Sequence, residues 1–359
     1  MNFNEFRNTV SPKAVALAWT EATSNRMPYV GETIFPAKKK AGLDLSWVKG
    51  HTGIPVTLMP SAFDAKATFR DRIGVKRLDT EMPFFREGFK IKEKDRQDIL
   101  RAIDSNDPYA AQVISNIFDD ANNLIEAANV VPERQRMQLI FANGGNVGIT
   151  IQANGVDYIY NYDPNGTWKA SNYFALVGTA LWTAGSTADP FADIQTGKDA
   201  VAANGGETRY IAMNSTTFRL LRNCDAVKNR FLTVNGLSLG YLSDADIVNV
   251  LKDTMGLAGV IIYDKQFRDE DKTVTKFVPD GYVALLPEGP VGNTWYGTTP
   301  EEADLMGAGT GAEVALVNTG VAITQIVDEH PVNINTYASE IVLPSYERMD
   351  EVALLKVTA

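Results

Sequence analysis

The side chains that most often carry catalysis are scarce in this sequence. The two histidines, His51 and His330, each lack a second metal ligand or partner acid at useful spacing. The single cysteine, Cys224, lies between Asn223 and Asp225, whereas a catalytic thiolate needs a histidine and a positively charged setting. We therefore expect packed or surface residues here rather than a nucleophile, general base or metal site.

Carboxylates could also do chemistry, and they occur in short clusters: Asp119–Asp120, Asp269–Asp271 and Glu301–Glu302. None of these clusters has the spaced oxygen ligands and central glycine of a calcium loop, so solvated turns and helix faces are predicted. Two carboxylates that meet only in the folded chain could still hydrolyse a glycoside. A cytosolic, acidic, carboxylate-dependent hydrolase is therefore the alternative function.

Glycines and lysines give no binding motif. The pairs Gly144–Gly145 and Gly205–Gly206 and the glycines within 307–311 lack the strand, lysine and helix of a phosphate-binding loop, so turns are predicted. Lys38–Lys40 is the one basic run. It is either a contact for an acidic neighbour or packaged DNA, or a charged strand edge that resists stray pairing. No cofactor and no metal are expected.

Composition indicates a folded, acidic chain. Its 359 residues can form two or three compact units, and 45% hydrophobic with 22% charged residues is not a disordered composition. A formal charge of −10 disfavours a surface that grips DNA phosphates. The single cysteine, the lack of a secretory pattern and the lack of a long apolar run predict a protein made in the cytoplasm, away from membranes.

Two segments with little core of their own open the chain. Residues 1–33 show only a weak helical stripe between Ala14 and Trp19, and an extended arm is predicted. Residues 34–88 alternate as strands do and predict an extended β-hairpin loop. A lone hairpin is marginally stable in water, so we expect this loop to lie on another surface, such as a neighbouring subunit.

A long amphipathic helix is predicted next. Asp107 is a good N-cap before Pro108, and apolar residues recur at helical spacing to about residue 130. Pro132 is predicted to end or kink this helix before a further turn or two. Asn154–Gly155, between two alternating segments, predicts a tight β-hairpin.

Residues 167–320 alternate between helical and strand patterns and predict an α/β unit. Helices are predicted to begin at Asp189–Pro190, at Ser215 as the cap, and at Ser243–Asp244. The charged residues after Tyr263 are predicted to join two of the strands directly, and Val314–Val357 are predicted to return as strands to the first unit. The predicted strands are Tyr210–Met213, Val260–Tyr263, Thr273–Phe277 and Tyr282–Leu286.

Short motifs of packing residues are spread along the chain: Pro60–Thr68, Glu81–Phe85, Glu93–Gln97, Ile211–Asn214, Phe277–Gly281, Gly292–Glu301 and Ser339–Pro344. In this order they resemble the major capsid proteins of tailed bacteriophages, the lambda-like capsid protein E family. The resemblance marks as packing or inter-subunit candidates Phe63, Asp64, Lys66, Arg70, Arg72, Glu81, Pro83, Phe84, Phe85, Asp95, Arg96, Tyr263, Pro279, Asp280, Gly281, Tyr296 and Gly297.

The resemblance implies an α+β, HK97-like major capsid fold and a structural function without a catalytic site. Hexamers and pentamers of the chain would form an icosahedral shell around packaged double-stranded DNA. The implied parts are an N-terminal arm (1–33), an extended loop or E-loop (34–88), a peripheral domain (89–166 and 321–359) with a spine helix at about 108–130, and an axial α/β domain (167–320).

The resemblance also implies partners and a location. The implied partners are other copies of the chain, a portal, a decoration protein and a scaffolding protein. The scaffold is expected to be a separate protein, because the N-terminal residues carry no coiled-coil extension. DNA would be enclosed without sequence-specific binding, in a virion assembled in the host cytoplasm. Some shells of this fold crosslink a loop lysine to an asparagine of a neighbour; Lys66 lies in that region, but lambda-like relatives are not expected to crosslink.

Overall fold

The computed structural model describes residues 7–8, 10–23, 28–49, 76–94, 97, 108–153, 156–235, 243–306, 312–330 and 332–359. Helices within these ranges are α1 (Pro12–Thr23), α2 (Gly31–Ile34), α3 (Pro108–Ile140), α4 (Thr167–Asn172), α5 (Pro190–Ala203), α6 (Ser215–Asn223), α7 (Asp225–Asn235) and α8 (Asp244–Met255). The strands are β1 (Ala37–Lys39), β2 (Asp44–Lys49), β3 (Lys76–Glu81), β4 (Phe84–Ile91), β5 (Gly148–Ala153), β6 (Val156–Asn161), β7 (Tyr173–Ala175), β8 (Tyr210–Met213), β9 (Gly259–Ile262), β10 (Gln266–Arg268), β11 (Val274–Lys276), β12 (Tyr282–Leu286), β13 (Asn293–Tyr296), β14 (Glu313–Val317), β15 (Val321–Glu329), β16 (Val332–Ser345) and β17 (Ala353–Lys356).

The chain divides into two compact units. Unit 1 comprises residues 1–45, 79–135 and 293–345, and unit 2 comprises 46–78, 136–292 and 346–359. Both units are therefore built from segments that are distant in sequence. No described helix combines the length and the hydropathy that crossing a bilayer requires.

Unit 1 is organised around the long strand β16. It pairs antiparallel with β15 and β4 through its first ten residues and with β13 through its last four. β1 joins parallel to β13, and β14 continues the sheet beyond β15. Among the described strands of the predicted loop segment, β2 and β3 pair with each other, whereas β1 and β4 belong to this larger sheet.

The core of unit 1 joins helices to this sheet. Val15 and Trp19 of α1 pack with Leu124 and Ile125 of α3 and with Ile323 of β15, all buried. The prediction of an extended conformation is therefore wrong for Pro12–Thr23, because the weak apolar stripe finds a buried partner surface.

Helix α3 continues without a break through Pro132 to Ile140. Of the two predicted outcomes, an end of the helix at Pro132 is therefore wrong, whereas the further turns predicted after Pro132 are present as part of the same helix. Proline removes one backbone hydrogen bond, but the surrounding turns are held by packing, since Glu133 and Gln135 are fully buried. The helix then gives way to a 3₁₀ turn at Asn143–Gly145, as the glycine pair predicts.

Unit 2 contains a five-stranded mixed sheet in the order β7-β17-β12-β8-β9. Every residue of the central strand β12 is buried. The C-terminal strand β17 lies between β7 and β12, antiparallel to β12. The prediction that all of Val314–Val357 returns to the first unit is thus wrong for these last residues, which complete the sheet of unit 2.

Helices α5 to α8 cover one face of this sheet. Their apolar side chains, including Ile194, Phe218 and Leu251, share a core with Ile211 and Val283. The predicted starts of α5 and α8 are confirmed, with Asp189 and Ser243 as N-caps. For α6, however, the cap is Asn214 rather than Ser215, because the Asn214 side chain accepts from the Thr217 amide.

Two small hairpins complete unit 2. β5 and β6 pair antiparallel from Gly148–Asn161 to Ala153–Val156, so the connection at Asn154–Gly155 has two residues, as predicted. In the second hairpin, β11 pairs with β10 rather than with β9. The prediction that Val260–Tyr263 and Thr273–Phe277 are adjacent strands is therefore wrong, because the intervening Gln266–Arg268 forms its own strand.

Candidate functional site

The structure groups the described candidate residues into two clusters, one in each unit. Unit 1 contains Glu81, Pro83, Phe84, Phe85, Tyr296 and Gly297, and unit 2 contains Tyr263, Pro279, Asp280 and Gly281. The candidates Phe63, Asp64, Lys66, Arg70, Arg72, Asp95 and Arg96 lie outside the described residues.

Asp280 is the polar centre of the unit 2 cluster. Its Oδ1 accepts from Asn214 Nδ2 at 2.6 Å and from Lys276 Nζ at 2.7 Å. Partial burial by itself would raise the pKa of the Asp280 carboxyl, but the hydrogen bonds from Lys276 and Asn214 and the charge of Lys276 outweigh it, and the net pKa is lowered. Asp280 therefore fixes the Phe277–Gly281 motif to the N-terminus of α6 as a carboxylate.

The same helix end is tied to the motif by buried neutral groups. Asn214 Nδ2 also donates to the Val278 carbonyl at 3.0 Å, and Asn214 Oδ1 accepts from both the amide and the hydroxyl of Thr217 at 2.8 Å. The Thr217 hydroxyl in turn accepts from the Gly281 amide at 2.9 Å. Sequence reasoning missed Asn214, although an asparagine directly between a strand and a Ser-Thr-Thr helix start is a typical N-cap.

Gly281 is the position at which a side chain is least tolerable. Its φ is +78°, and a Cβ there would lie 2.0 Å from Thr358 Oγ1. The Gly281 carbonyl accepts from the Val357 amide at 2.8 Å, so the backbones are in direct contact. Glycine is required here both for the left-handed conformation and for this close approach.

Aromatic packing also supports the motif. The buried Tyr263 ring stacks on Phe277 with centroids 6.0 Å apart, and Phe267 of β10 lies 4.7 Å from the same ring. These contacts connect the β10–β11 hairpin to Tyr263, which directly follows strand β9. The role of Tyr263 and the motif is positioning and packing.

In unit 1 the structure brings together two motifs separated by more than 200 residues in sequence. The Gly297 amide donates to the Ile341 carbonyl at 2.8 Å, and a Cβ on Gly297 would lie 2.6 Å from Ile341 Cγ2 and 3.0 Å from Met82 Cε. Met82 and Pro83 are buried between the strands β3 and β4. The Glu81–Phe85 and Tyr296–Gly297 motifs therefore pack on one another.

The acidic pair Glu301–Glu302 behaves differently from the sequence prediction. Glu301 is only 6% exposed, forms an ion pair with Arg86 and accepts from Ser339 Oγ at 2.9 Å. The prediction of a solvated turn is therefore wrong for Glu301. Sequence could not reveal this burial, since Arg86 and Ser339 come from strands β4 and β16, far from Glu301 along the chain.

Each lysine of the basic run has a partner within its own chain. Lys38 Nζ lies 5.5 Å from the Trp295 ring centroid, Lys39 pairs with Glu302, and Lys40 Nζ donates to the Asp44 carbonyl at 2.7 Å. This arrangement matches the interpretation of a charged strand edge.

The groups considered for catalysis are placed unfavourably for it. Cys224 is buried, and its thiol donates to the Leu220 carbonyl at 3.4 Å. Burial raises the pKa of this thiol to about 11, so it is protonated at neutral pH. His330 is exposed in the turn between β15 and β16, and His51 lies outside the described residues. Over the ranges that the structure describes, no three His, Cys, Asp or Glu side chains are grouped to hold a metal.

The two described clusters fix turns and helix ends, which a structural subunit requires. A sequence profile described as phage major capsid protein E matches residues 13–357. The chain belongs to this family. A comparison of the capsid protein with curated proteins finds no match.

Solved structures show the fold of this capsid protein. A phage-related protein from Bordetella bronchiseptica RB50 is 15% identical with a TM-score of 0.52, covering 95% of this chain and 96% of that one. A prophage protein of Escherichia coli CFT073 is 13% identical with a TM-score of 0.55, covering 95% and 97%. The capsid of cyanophage A-1(L) gives 13% identity and a TM-score of 0.51 over 93% and 94%.

The HK97-like fold that the resemblance implied is thereby confirmed, and it combines α and β elements. The chain is a structural subunit of a phage capsid, built into a shell of like subunits in the virion. The comparisons give no support to the carboxylate-dependent hydrolase.

Proposed function

We propose that this capsid protein assembles as hexamers and pentamers into an icosahedral shell that encloses packaged double-stranded DNA. The observation that carries the proposal is the match of the capsid protein E family to residues 13–357, nearly the whole chain. A subunit of such a shell needs self-complementary surfaces and closed symmetry rather than a reaction centre.

The parts of the chain take different roles in this proposal. In the arm (1–33) and the extended loop (34–88), the surface that the subunit's own core and sheet leave exposed contacts neighbouring subunits and is buried on assembly. Helix α3 is the spine helix of the peripheral domain. The five-stranded sheet of unit 2, with helices α5 to α8, is the core of the axial domain. Support comes from the two-stranded β2–β3 pair, which is too small to be stable on its own.

The acidic balance of the chain suits a container for DNA. A wall that carried many unpaired lysines and arginines would bind the polyanion tightly and hinder its packaging and release. The formal charge is −10, and the one basic run is engaged by contacts within the chain. We propose that DNA is enclosed without sequence-specific recognition.

The partners and the site of assembly complete the proposal. Assembly takes place in the host cytoplasm with the help of a separate scaffolding protein. A portal and a decoration protein join the same shell.

The test is the mass and shape of the expressed full-length protein. Light scattering on a sizing column, with negative-stain microscopy of the same fractions, should reveal uniform polyhedral particles or rings of five and six. Co-expression with a candidate scaffolding protein should raise the yield of closed particles. A compact monomer that persists under both conditions and resists protease through residues 34–88 would overturn the proposal.

A further inference from the structure

A cavity of about 470 Å³ opens in unit 1 beside the π-helical turn Glu301–Leu305. Its volume lies in the range of sites that bind small molecules or peptide side chains. Arg86 of β4, Thr324 of β15 and Tyr337 of β16 line it opposite the turn. Residues from one turn and three paired strands thus define its walls, and a π-helical turn at such a place often marks a functional site.

The charges of the lining leave one carboxylate unneutralised. Glu301 is paired with Arg86 and Ser339. Asp304, one helical turn along, is exposed at the cavity, and none of the described side chains pairs with it. The charged side chains that line the cavity therefore sum to a formal charge of −1. Asp304 carries this charge and faces solvent, where a cation can reach it.

A buried hydroxyl supplies the second, independent observation. Thr324 is 1% exposed and lines the cavity, and its Oγ1 has no hydrogen-bond partner among the described residues. An unpaired buried hydroxyl is unfavourable by itself, so a ligand that bonds to it gains affinity. Leu305 and Ile326 add apolar surface to the same lining. The lining as a whole suits a cationic group on an apolar stem.

We propose that this cavity docks a basic segment of a second copy of this chain, residues 65–77, and this inference rests on the proposed shell function. Charge complementarity selects the segment. Although the chain carries a formal charge of −10, residues 65–77 contain five Lys or Arg and one Asp. Alanine, phenylalanine, isoleucine and valine stand between these charges, so the segment offers cations on apolar surroundings.

The first experiment measures docking directly. A fluorescein-labelled peptide of residues 65–77 is titrated into the full-length protein and followed by fluorescence anisotropy. Asp304→Lys should weaken binding at least about tenfold, which corresponds to 1.4 kcal/mol. The matched control is Asp253→Lys, a reversal at an exposed carboxylate of α8, which should leave binding within about twofold. Equal binding to wild type and Asp304→Lys overturns the inference.

A second variant tests docking without adding a charge and without disturbing the fold. Thr324→Val removes the buried hydroxyl at nearly constant volume from a position where it has no described partner, so folding should be unaffected. This substitution should weaken binding of the peptide severalfold. A peptide with Phe69, Ile73 and Val75 replaced by serine tests the apolar wall. Undiminished binding of that peptide overturns the claim of a cavity that recognises both charge and apolar surface.

An assembly measurement separates this inference from the proposed function. Particle yield is compared for wild type, Asp304→Lys and Asp253→Lys at one protein concentration. Loss of particles only in Asp304→Lys, restored by adding Arg70→Glu and Arg72→Glu, supports docking between copies. Normal particles from Asp304→Lys overturn the inference and leave the shell function standing. If wild type forms no particles even when a candidate scaffolding protein is co-expressed, the shell function fails, and loss of peptide binding in Asp304→Lys still supports the cavity as the docking site.

Discussion

At the scale of single residues, Asp280 shows how a capsid motif without catalytic chemistry is nevertheless specific. One carboxylate oxygen accepts from a buried asparagine and from a lysine, which together fix the turn before β12 to the cap of α6. Replacing Asp280 by alanine should lower the free energy of unfolding by about 1 kcal/mol, because the Lys276 pair is half exposed and worth little by itself. Urea denaturation of the unassembled subunit measures this difference.

The pH dependence of the Asp280 effect follows from the direction of its pKa. The folded-state pKa is lowered, so the stabilisation is present above the unfolded pKa of about 3.9 and is lost as the pH falls through the lower folded value. The difference in the free energy of unfolding between wild type and Asp280→Ala should therefore be constant near neutral pH and become smaller below about pH 4. Asp253→Ala, at an exposed carboxylate of α8, should change stability by less than about 0.5 kcal/mol at every pH. A difference that grows in acid would contradict the assignment.

Gly281 permits a sharper residue-scale prediction, because a matched control exists. Gly281→Ala should destabilise the subunit by about 3 kcal/mol or more, since a left-handed residue gains a Cβ that meets Thr358. Gly256→Ala introduces the same backbone strain, at a φ of +66°, but its added Cβ would have no atom within 4 Å. This variant should lower the free energy of unfolding by only about 1 kcal/mol. Thermal unfolding of both variants measures the difference in stability. Combining Gly281→Ala with Thr358→Gly should restore the part of the stability that is lost through the clash with Thr358. Equal effects of the two alanines would show that the contact with Thr358 does not matter.

At the scale of elements, side chains of the long helix α3 form hydrogen bonds with backbone groups of neighbouring elements, as paired strands do inside a sheet. Gln138 donates to the Thr150 carbonyl and accepts from the Thr150 amide, both at 3.2 Å, so it pairs with strand β5 as a neighbouring strand would. Glu133 similarly accepts from the Gly31 amide at 3.0 Å in unit 1. Short elements are thereby anchored to a helix that is stable through its packing.

Gln138→Ala should loosen the β5–β6 hairpin from helix α3. The two lost hydrogen bonds leave the Thr150 amide to water, with a cost of about 1 kcal/mol and faster hydrogen exchange at that amide. Exchange followed by NMR or mass spectrometry measures the change. Gln152→Ala, on an exposed position of the same strand, is the control and should leave exchange as in wild type. Equal protection of Thr150 in both variants would contradict the anchoring role.

At the scale of the whole molecule, net charge governs how the protein meets DNA. A chain with a formal charge of −10 has no excess cation to release counterions from the duplex. We expect the free subunit to bind a labelled duplex more weakly than about 10⁻⁴ M at physiological salt, the weak end of non-specific binding. Fluorescence anisotropy measures this, with a basic DNA-binding protein as the positive control. Tight binding with a steep salt dependence would contradict the picture of a wall that contains DNA without gripping it.

Local physics explains which features the sequence determined by itself. The two-residue connection at Asn154–Gly155, the caps at Asp189 and Ser243, and the helix that begins at Pro108 depend on neighbours a few residues away, and all are confirmed. The order of the family's motifs likewise identified the fold class, because packing motifs keep their sequence positions when the structure is similar.

Only the tertiary structure decided how distant segments pair. An alternating pattern tells which face of a strand is buried but not which strand lies beside it. The placement of β17 in the sheet of unit 2, the recruitment of β1 and β4 by the sheet of unit 1, and the burial of Glu301 beside Arg86 all depend on such pairing. The cavity at Asp304 and Thr324 has the same origin, since its walls come from four segments that the chain brings together only on folding.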